Sequence, residues 1–336
     1  MFLFKRPYNP EYQRRILTVL GLPCGLTFEV PYRQKYLAPD IREAVSANPS
    51  LFEGKKAVSF CVDSRPDQNI LTFCPLRECV IRKVWQPEGS DFVNFLFEVE
   101  GYPLVEPGEC TKELTEKYGK EGLPPQREDA FVISGEKLNC ITSAEFSEAN
   151  WERIAQHLSS IPELAAHAFY QLLAFSDQRG RVAETEDIDS YRGIKLSGGK
   201  KYRVRLAVRL PHHYESSGRY STKMSVTLGS GLESVGDSEV EIRTAYETKD
   251  YFEFVCKKVN QKSKLTIQEA EDPFSAPKFD ICVRISSLPK WVNPTVAIIL
   301  LAAASALGAL GQPWYGVVIA AVTGLLYYAA IHILLR

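Results

Sequence analysis

No charge of either sign dominates this chain: 40 Lys and Arg stand against 41 Asp and Glu. Without residues 291–336, which hold a single Arg, the balance is 39 to 41. A protein that grips nucleic acid through its phosphates carries a basic excess, so no nucleic-acid partner is expected. Asn-x-Ser/Thr acceptor sites without proline at x are missing. The first residues, Met1-Phe2-Leu3-Phe4-Lys5-Arg6-Pro7-Tyr8, hold no apolar run long enough for a secretory signal. Paired cysteine motifs are missing too. The eight cysteines are scattered, and Cys61, Cys256 and Cys282 sit in strand-like runs, so they read as small buried hydrophobes with reduced thiols. Cys74 and Cys79 in "CPLREC" have no second Cys or His pair at zinc-finger spacing. No metal and no cofactor is expected.

The most informative scarcity is that of charge at the carboxyl end. From Trp291 onward the only charged side chain is Arg336. Residues 294–335 number 42, about 63 Å as one helix at 1.5 Å per residue, whereas a hydrocarbon core spans roughly 30 Å. Gly311-Gln312-Pro313 divides the stretch into two suitable lengths, and Pro313 and Pro294 each sit where proline is accepted, at a first helical turn. Trp291 and Trp314 stand at the entrance of each span, where amphipathic rings prefer the interface. Gly316, Ala320 and Gly324 line one face of the second helix, and Ala304 and Gly308 offer a similar strip on the first, as close helix packing in lipid requires. The expectation is a transmembrane helical hairpin. Arg284, Lys290 and Arg336 flank it while its turn is uncharged, which sets both chain ends on the cytoplasmic face of the inner membrane.

Ahead of the tail the pattern is mainly β with a short helical segment. Residues 1–140 contain short alternating runs such as Leu26-Phe28-Val30 and Val58-Phe60-Val62 between polar turns, which predicts a small β-barrel or sandwich. Residues 104–128, charged and carrying Pro and Gly, read as an insertion or long loop with room for one helix. Residues 141–180 change period. Thr142 and Glu145 have capping-box spacing, and a second helix is expected from Ser160 through Leu164, Phe169, Leu172 and Leu173. His157 and His167 fall on these helices as packing or surface residues. An acidic linker (181–194) leads to residues 195–287, where clean alternation in "KYRVRLAVRL" and four later runs predicts an antiparallel β-sandwich. Only four residues separate Ser286 from Trp291, a reach of about 14 Å, so this sandwich is expected beside the bilayer.

Motifs that promise chemistry fail on their spacing. "GIKLSGGKK" has Ile194 at the first glycine of a phosphate loop and Lys201 at its Ser/Thr. "DIDSYRG" puts Tyr191 where a calcium loop needs an oxygen ligand. His212-His213 with Glu215 lacks metalloprotease spacing, and "GSGLES" is no nucleophile elbow. One constellation is kept: Lys201, Arg203, Arg205 and Arg209 project from one face of a strand. They form either an anionic-partner or lipid face, or a solvated face balanced by residues such as Glu239, Glu241 and Glu253.

The sequence therefore points to a non-enzymatic, membrane-anchored cytoplasmic sensor or scaffold, with the lipid bilayer and a protein, or a second copy of itself, as partners. The alternative is a membrane-perturbing effector whose hairpin oligomerises on a signal from the soluble part, by analogy with sensor–effector pairs of bacterial defence and toxin systems. An enzyme acting on lipid would need a cleft joining Arg205 to carboxylates.

Overall fold

The computed structural model describes residues 1–65, 70–122, 130–144, 148–210, 221–243, 246–272 and 274–287. The stretch expected to form the hairpin, with Lys290, Trp291, Pro294, Ala304, Gly308, Pro313, Trp314, Gly316, Ala320, Gly324 and Arg336, lies outside them, as do His212, His213 and Glu215. Among the described residues, no helix is long and apolar enough to cross a membrane.

In chain order the elements are β1 (Phe2–Lys5), α1 (Pro10–Gly21), β2 (Thr27–Arg33), α2 (Pro39–Ala47), β3 (Lys56–Arg65), β4 (Ile70–Trp85), β5 (Phe92–Leu104), α3 (Pro107–Gly122), β6 (Ala130–Ile133), β7 (Thr142–Ala144) and α4 (Glu148–Leu158). Then follow β8 (Phe169–Asp177), β9 (Thr185–Ile188), β10 (Tyr191–Ser197), β11 (Lys201–Arg209), β12 (Thr222–Leu228), β13 (Leu232–Ser234), β14 (Glu239–Ile242), β15 (Tyr246–Cys256), β16 (Gln261–Glu269) and β17 (Lys278–Ser286). The chain is mainly β, as its alternation predicts.

The first sheet runs β2-β5-β4-β3-β1-β6, with β7 added on β5. It is a mixed sheet in which β1 lies parallel to β3 and antiparallel to β6. The sequence predicts a small barrel or sandwich here; the sheet curls part of the way toward closure, since Leu37 just beyond β2 bridges to Val132 of β6, and helices pack over it. Ile41 and Val45 of α2 pack with Val30, Phe95 and Phe97. Ile16, Leu17 and Leu20 of α1 join Trp151, Ile154 and Leu158 of α4. Cys110 and Leu114 of α3 close a ring-rich cluster around Phe4, which stacks between Phe60 and Phe131. α1 is set by local signals: the Asn9 side chain caps the N–H of Tyr12, and Pro10 occupies the first turn.

The second and third sheets, β14-β12-β16-β17-β10-β9 and β13-β15-β11-β8, enclose one core in a sandwich-like arrangement. Alternation works as expected: Tyr202, Val204, Leu206 and Val208 of β11 face Phe252 and Phe254 of β15 and Ile267, Phe279 and Ile281 of the opposite sheet. Pairing is not wholly antiparallel, since β10 runs parallel to β17 from Ile194↔Val283. Leu22, Leu26 and Val99 enter this core from the N-terminal part. Gly21 lets the two parts meet: a Cβ there would stand 2.3 Å from the Tyr170 carbonyl oxygen and 2.7 Å from the Phe279 ring.

Three local expectations are corrected. The second helix from Ser160 does not form; residues from Phe169 are strand β8, buried on both faces, with Tyr170 and Leu172 in the sandwich core and Phe169 and Leu173 against α1 and α4. Thr142 does not cap a helix but lies in β7, and α4 begins at Glu148. Much of the stretch read as an acidic linker forms the β9–β10 hairpin, turning at Asp189 with φ 60°. His167 thus lies on no helix. It meets the Gln13 side chain at 3.2 Å.

Candidate functional site

The basic strand face can be placed side chain by side chain. Lys201 and Arg203 both pair with Glu253 on the adjoining β15, the latter at 2.7 Å, and Arg203 also reaches Asp250. Arg209 pairs with Glu152 of α4 at 3.4 Å. Arg205 is exposed and makes no ion pair with another described residue. Carboxylates of β15 and α4 together therefore balance three of these four cations, and Glu253, one of the balancing residues named from sequence, is central to that balance. Glu241 pairs with Arg243 instead.

A groove of ≈420 Å³ lies near the junction of the two parts, between α1, β2, β10 and β17, floored by Leu22, Leu26, Phe28 and Ile281. A second recess of ≈230 Å³ shares Thr18, Phe28, Glu29, Lys278 and Asp280 with it and continues toward Arg14 and Arg15. Strand edges form its walls. β2 is the outer strand of the first sheet, and β17 pairs with β10 only from Val283 onward, leaving Lys278–Cys282 along the groove. An open edge presents backbone N–H and C=O groups that need partners, and two threonines supply some. The Thr18 hydroxyl accepts from the Lys278 N–H (3.0 Å) and donates to its carbonyl (3.3 Å). The Thr27 hydroxyl does the same for Arg192, at 3.0 and 3.2 Å. Pro31 lacks an N–H, and its carbonyl accepts from Arg15 at 3.3 Å.

Charge in the groove is locally matched. Arg192 holds Glu98 at 2.6 Å, Lys264 and Lys278 share Asp280 at 3.2 and 3.7 Å, and the Tyr191 hydroxyl donates to Glu29 at 3.0 Å. Burial raises the pKa of Tyr191, and the Glu29 contact adds to it. Burial likewise raises the Cys282 thiol, which keeps it from the thiolate form a nucleophile needs. This chemistry suits hydrogen-bonded recognition over an apolar floor.

Two buried polar clusters lie deeper. Arg77, fully buried, bridges the end of α1 to the Tyr102 ring. Glu269, also buried, accepts from the Tyr170 hydroxyl at 3.0 Å, and Tyr170 meets Thr222 at 3.2 Å. Desolvation pushes the Glu269 carboxyl up to about 6, against the hydroxyl donors of Tyr170 and Thr222. Neither cluster was found from sequence, because each joins strands distant in the chain. The eight cysteines are free thiols, and burial raises those of Cys61, Cys74, Cys79 and Cys256. Among the described residues, no three His, Cys, Asp or Glu side chains gather as a metal would require.

No protein-family model matches the sequence, and no curated protein does. Among solved structures, the chain is similar over 32% of its length to native Escherichia coli alpha-2-macroglobulin, at 16% identity and a TM-score of 0.21. That match spans 6% of the macroglobulin chain.

Proposed function

We propose that this protein is a membrane-anchored binding or scaffold protein, its β body held at the cytoplasmic face of the inner membrane by the C-terminal hairpin. One observation carries the reading: β17 ends at Ser286, and after four more residues the sequence runs 45 positions, Trp291 to Leu335, without a charge. A stretch of that length is stable in hydrocarbon and costly to expose to water. The work assigned to the body is recognition of a protein partner, and the groove between β2 and β17 supports this through its strand edges and apolar floor. The full-length protein is expected to remain in the membrane pellet after an alkaline carbonate wash and to enter solution only with detergent. Release by carbonate alone would end the anchoring reading.

A second reading rests on the small-residue spacing of Gly316, Ala320 and Gly324: the hairpin self-associates and perturbs the membrane as an effector. Under it, cells expressing the protein leak small ions, and Gly324→Leu suppresses the leak by blocking close helix approach. Equal permeability of cells with wild type, variant and empty vector would leave only the anchor.

A further inference from the structure

The end of the sandwich from which the chain departs is built from loops of both sheets. The N–H of Gly198, in the β10–β11 loop, donates to the Ser286 carbonyl at 2.8 Å. The N–H of Ser287 donates to the side chain of Asn260, in the β15–β16 loop, at 2.5 Å. The same two loops are joined by Gly199 N–H to the Cys256 carbonyl (2.7 Å) and Cys256 N–H to the Lys200 carbonyl (2.9 Å). Gly198 permits this crowding: a Cβ there would stand 2.7 Å from Ser287 and 2.9 Å from the Lys257 carbonyl. The turn after β8 belongs to this end as well, since Asp177 pairs in register with Tyr202 at the start of β11.

These loops are basic. Lys257 and Lys258 are exposed and Lys200 is half-buried beside them, while the turn after β8 adds Arg179 and Arg181. Opposing them are Asp177, which Arg181 (2.9 Å) and Lys200 (3.7 Å) share, and Glu233, 2.8 Å from Lys257. Five positive side chains face two negative ones, in a chain whose overall charge is close to balanced. The excess is concentrated where the chain leaves β17, and Lys290 follows within the next four residues.

We infer that this loop rim, centred on Lys200, Lys257 and Lys258, is a docking surface for anionic phospholipid headgroups. The inference rests on the anchoring reading, because the occupant follows from where the described chain stops: Ser287 lies among these loops, and the charge-free stretch begins at Trp291. Four extended residues span about 14 Å at most, comparable with a screening length of about 8–10 Å. A tethered body with this end toward the membrane therefore keeps its lysines inside the negative surface potential, which attracts juxtamembrane basic residues. The rim carries a larger uncompensated charge than the β11 face, where Lys201, Arg203 and Arg209 are each paired. It fixes which end of the sandwich lies down on the bilayer and leaves the groove at α1 and β2 open to a partner.

The test uses full-length protein reconstituted with its body outward in vesicles of phosphatidylcholine alone, or with roughly 30% phosphatidylglycerol. Lysine acylation by a small active ester is followed by mass spectrometry. On the anionic vesicles Lys200, Lys257 and Lys258 are expected to react at about a third of their rate on neutral vesicles, and added salt is expected to restore the rate. Lys112 on α3, whose side chain is 77% exposed, is the internal reference and keeps one rate on both. In Lys257→Gln/Lys258→Gln, the remaining Lys200 loses its sensitivity to lipid charge. Protein that floats with both vesicles yet shows equal lysine rates overturns the docking surface and leaves the anchor intact. Protein that floats with neither overturns the anchor itself.

Discussion

Replacing Arg77 with alanine is expected to lower the unfolding free energy by about 3–5 kcal/mol, the range for deleting a large buried side chain. The guanidinium donates to the carbonyl oxygens of Leu22 at 2.8 Å and Leu20 at 3.3 Å. These close α1, where the last carbonyls have no partner within the helix. It also lies 3.8 Å from the centre of the Tyr102 ring. Tyr102 in turn donates to the Leu20 carbonyl at 2.7 Å and accepts from Gln171 of β8 at 3.1 Å. One side chain thus ties a helix terminus to the first sheet, and through Tyr102 to the third. Alanine leaves a cavity and removes the guanidinium donor from the Leu22 carbonyl, while the Leu20 carbonyl keeps the Tyr102 hydroxyl, and both penalties add. Arg77→Lys keeps the charge but not the planar fork, so an intermediate loss is expected. Urea unfolding in mild detergent measures both variants. A loss below about 1 kcal/mol for the alanine variant would show that the cluster does not hold the parts together.

Glu269→Gln is expected to stabilise the protein at neutral and alkaline pH, by about 2 kcal/mol at most. The carboxyl is raised from 4.5 to about 6, first by desolvation and then by the neighbouring charges of Asp272 and Glu271. For an acid whose pKa is higher folded than unfolded, the folded state holds its proton more tightly. Its stabilising contribution is complete below about pH 4.5, declines as pH rises to about 6, and is gone above that. A gap of about 1.5 pH units corresponds to about 2 kcal/mol at 1.36 kcal/mol per unit. Glutamine resembles the protonated acid in shape and still accepts from the Tyr170 and Thr222 hydroxyls. The wild type should therefore lose stability between pH 4.5 and 7 relative to the variant, and the two curves should converge at acid pH. Parallel unfolding midpoints across that range would mean that Glu269 ionises freely in the folded protein.

What the sequence disclosed, and what it withheld, follows from where each signal resides. β11 was legible because one of its faces is buried and, apart from Ala207, the other carries charged side chains, so period-two alternation is written in its residues. β8 was not: "FYQLLAFSD" is apolar on both faces because the sandwich core takes one and the α1–α4 cluster the other. Such a run has no distinguishing period and passes for a helix. The start of α1 is local in origin, an Asn9 cap followed by Pro10 in the first turn, but it stands among strands whose alternation dominates the pattern around it. β1 is a different case, since four buried residues become a strand only because β3 and β6 lie on either side. Of the candidate sites, the charges of β11 were visible and their partner Glu253 was foreseen, since cross-strand pairs follow from alternation. The basic loop rim was invisible, because Lys200 and Lys257 lie more than fifty positions apart and meet only through the register of β11 on β15.

The position of β17 has a mechanical consequence. It is an interior strand, bonded to β16 along Lys278–Ile285 and to β10 along Val283–Ser286, and the chain continues directly from its end. Tension applied from the carboxyl side acts along this strand, so both ladders are sheared together and cannot be peeled one bond at a time. The body therefore resists a pull on the carboxyl-terminal side of β17 more strongly than it would if an outer strand such as β9 or β14 took that load.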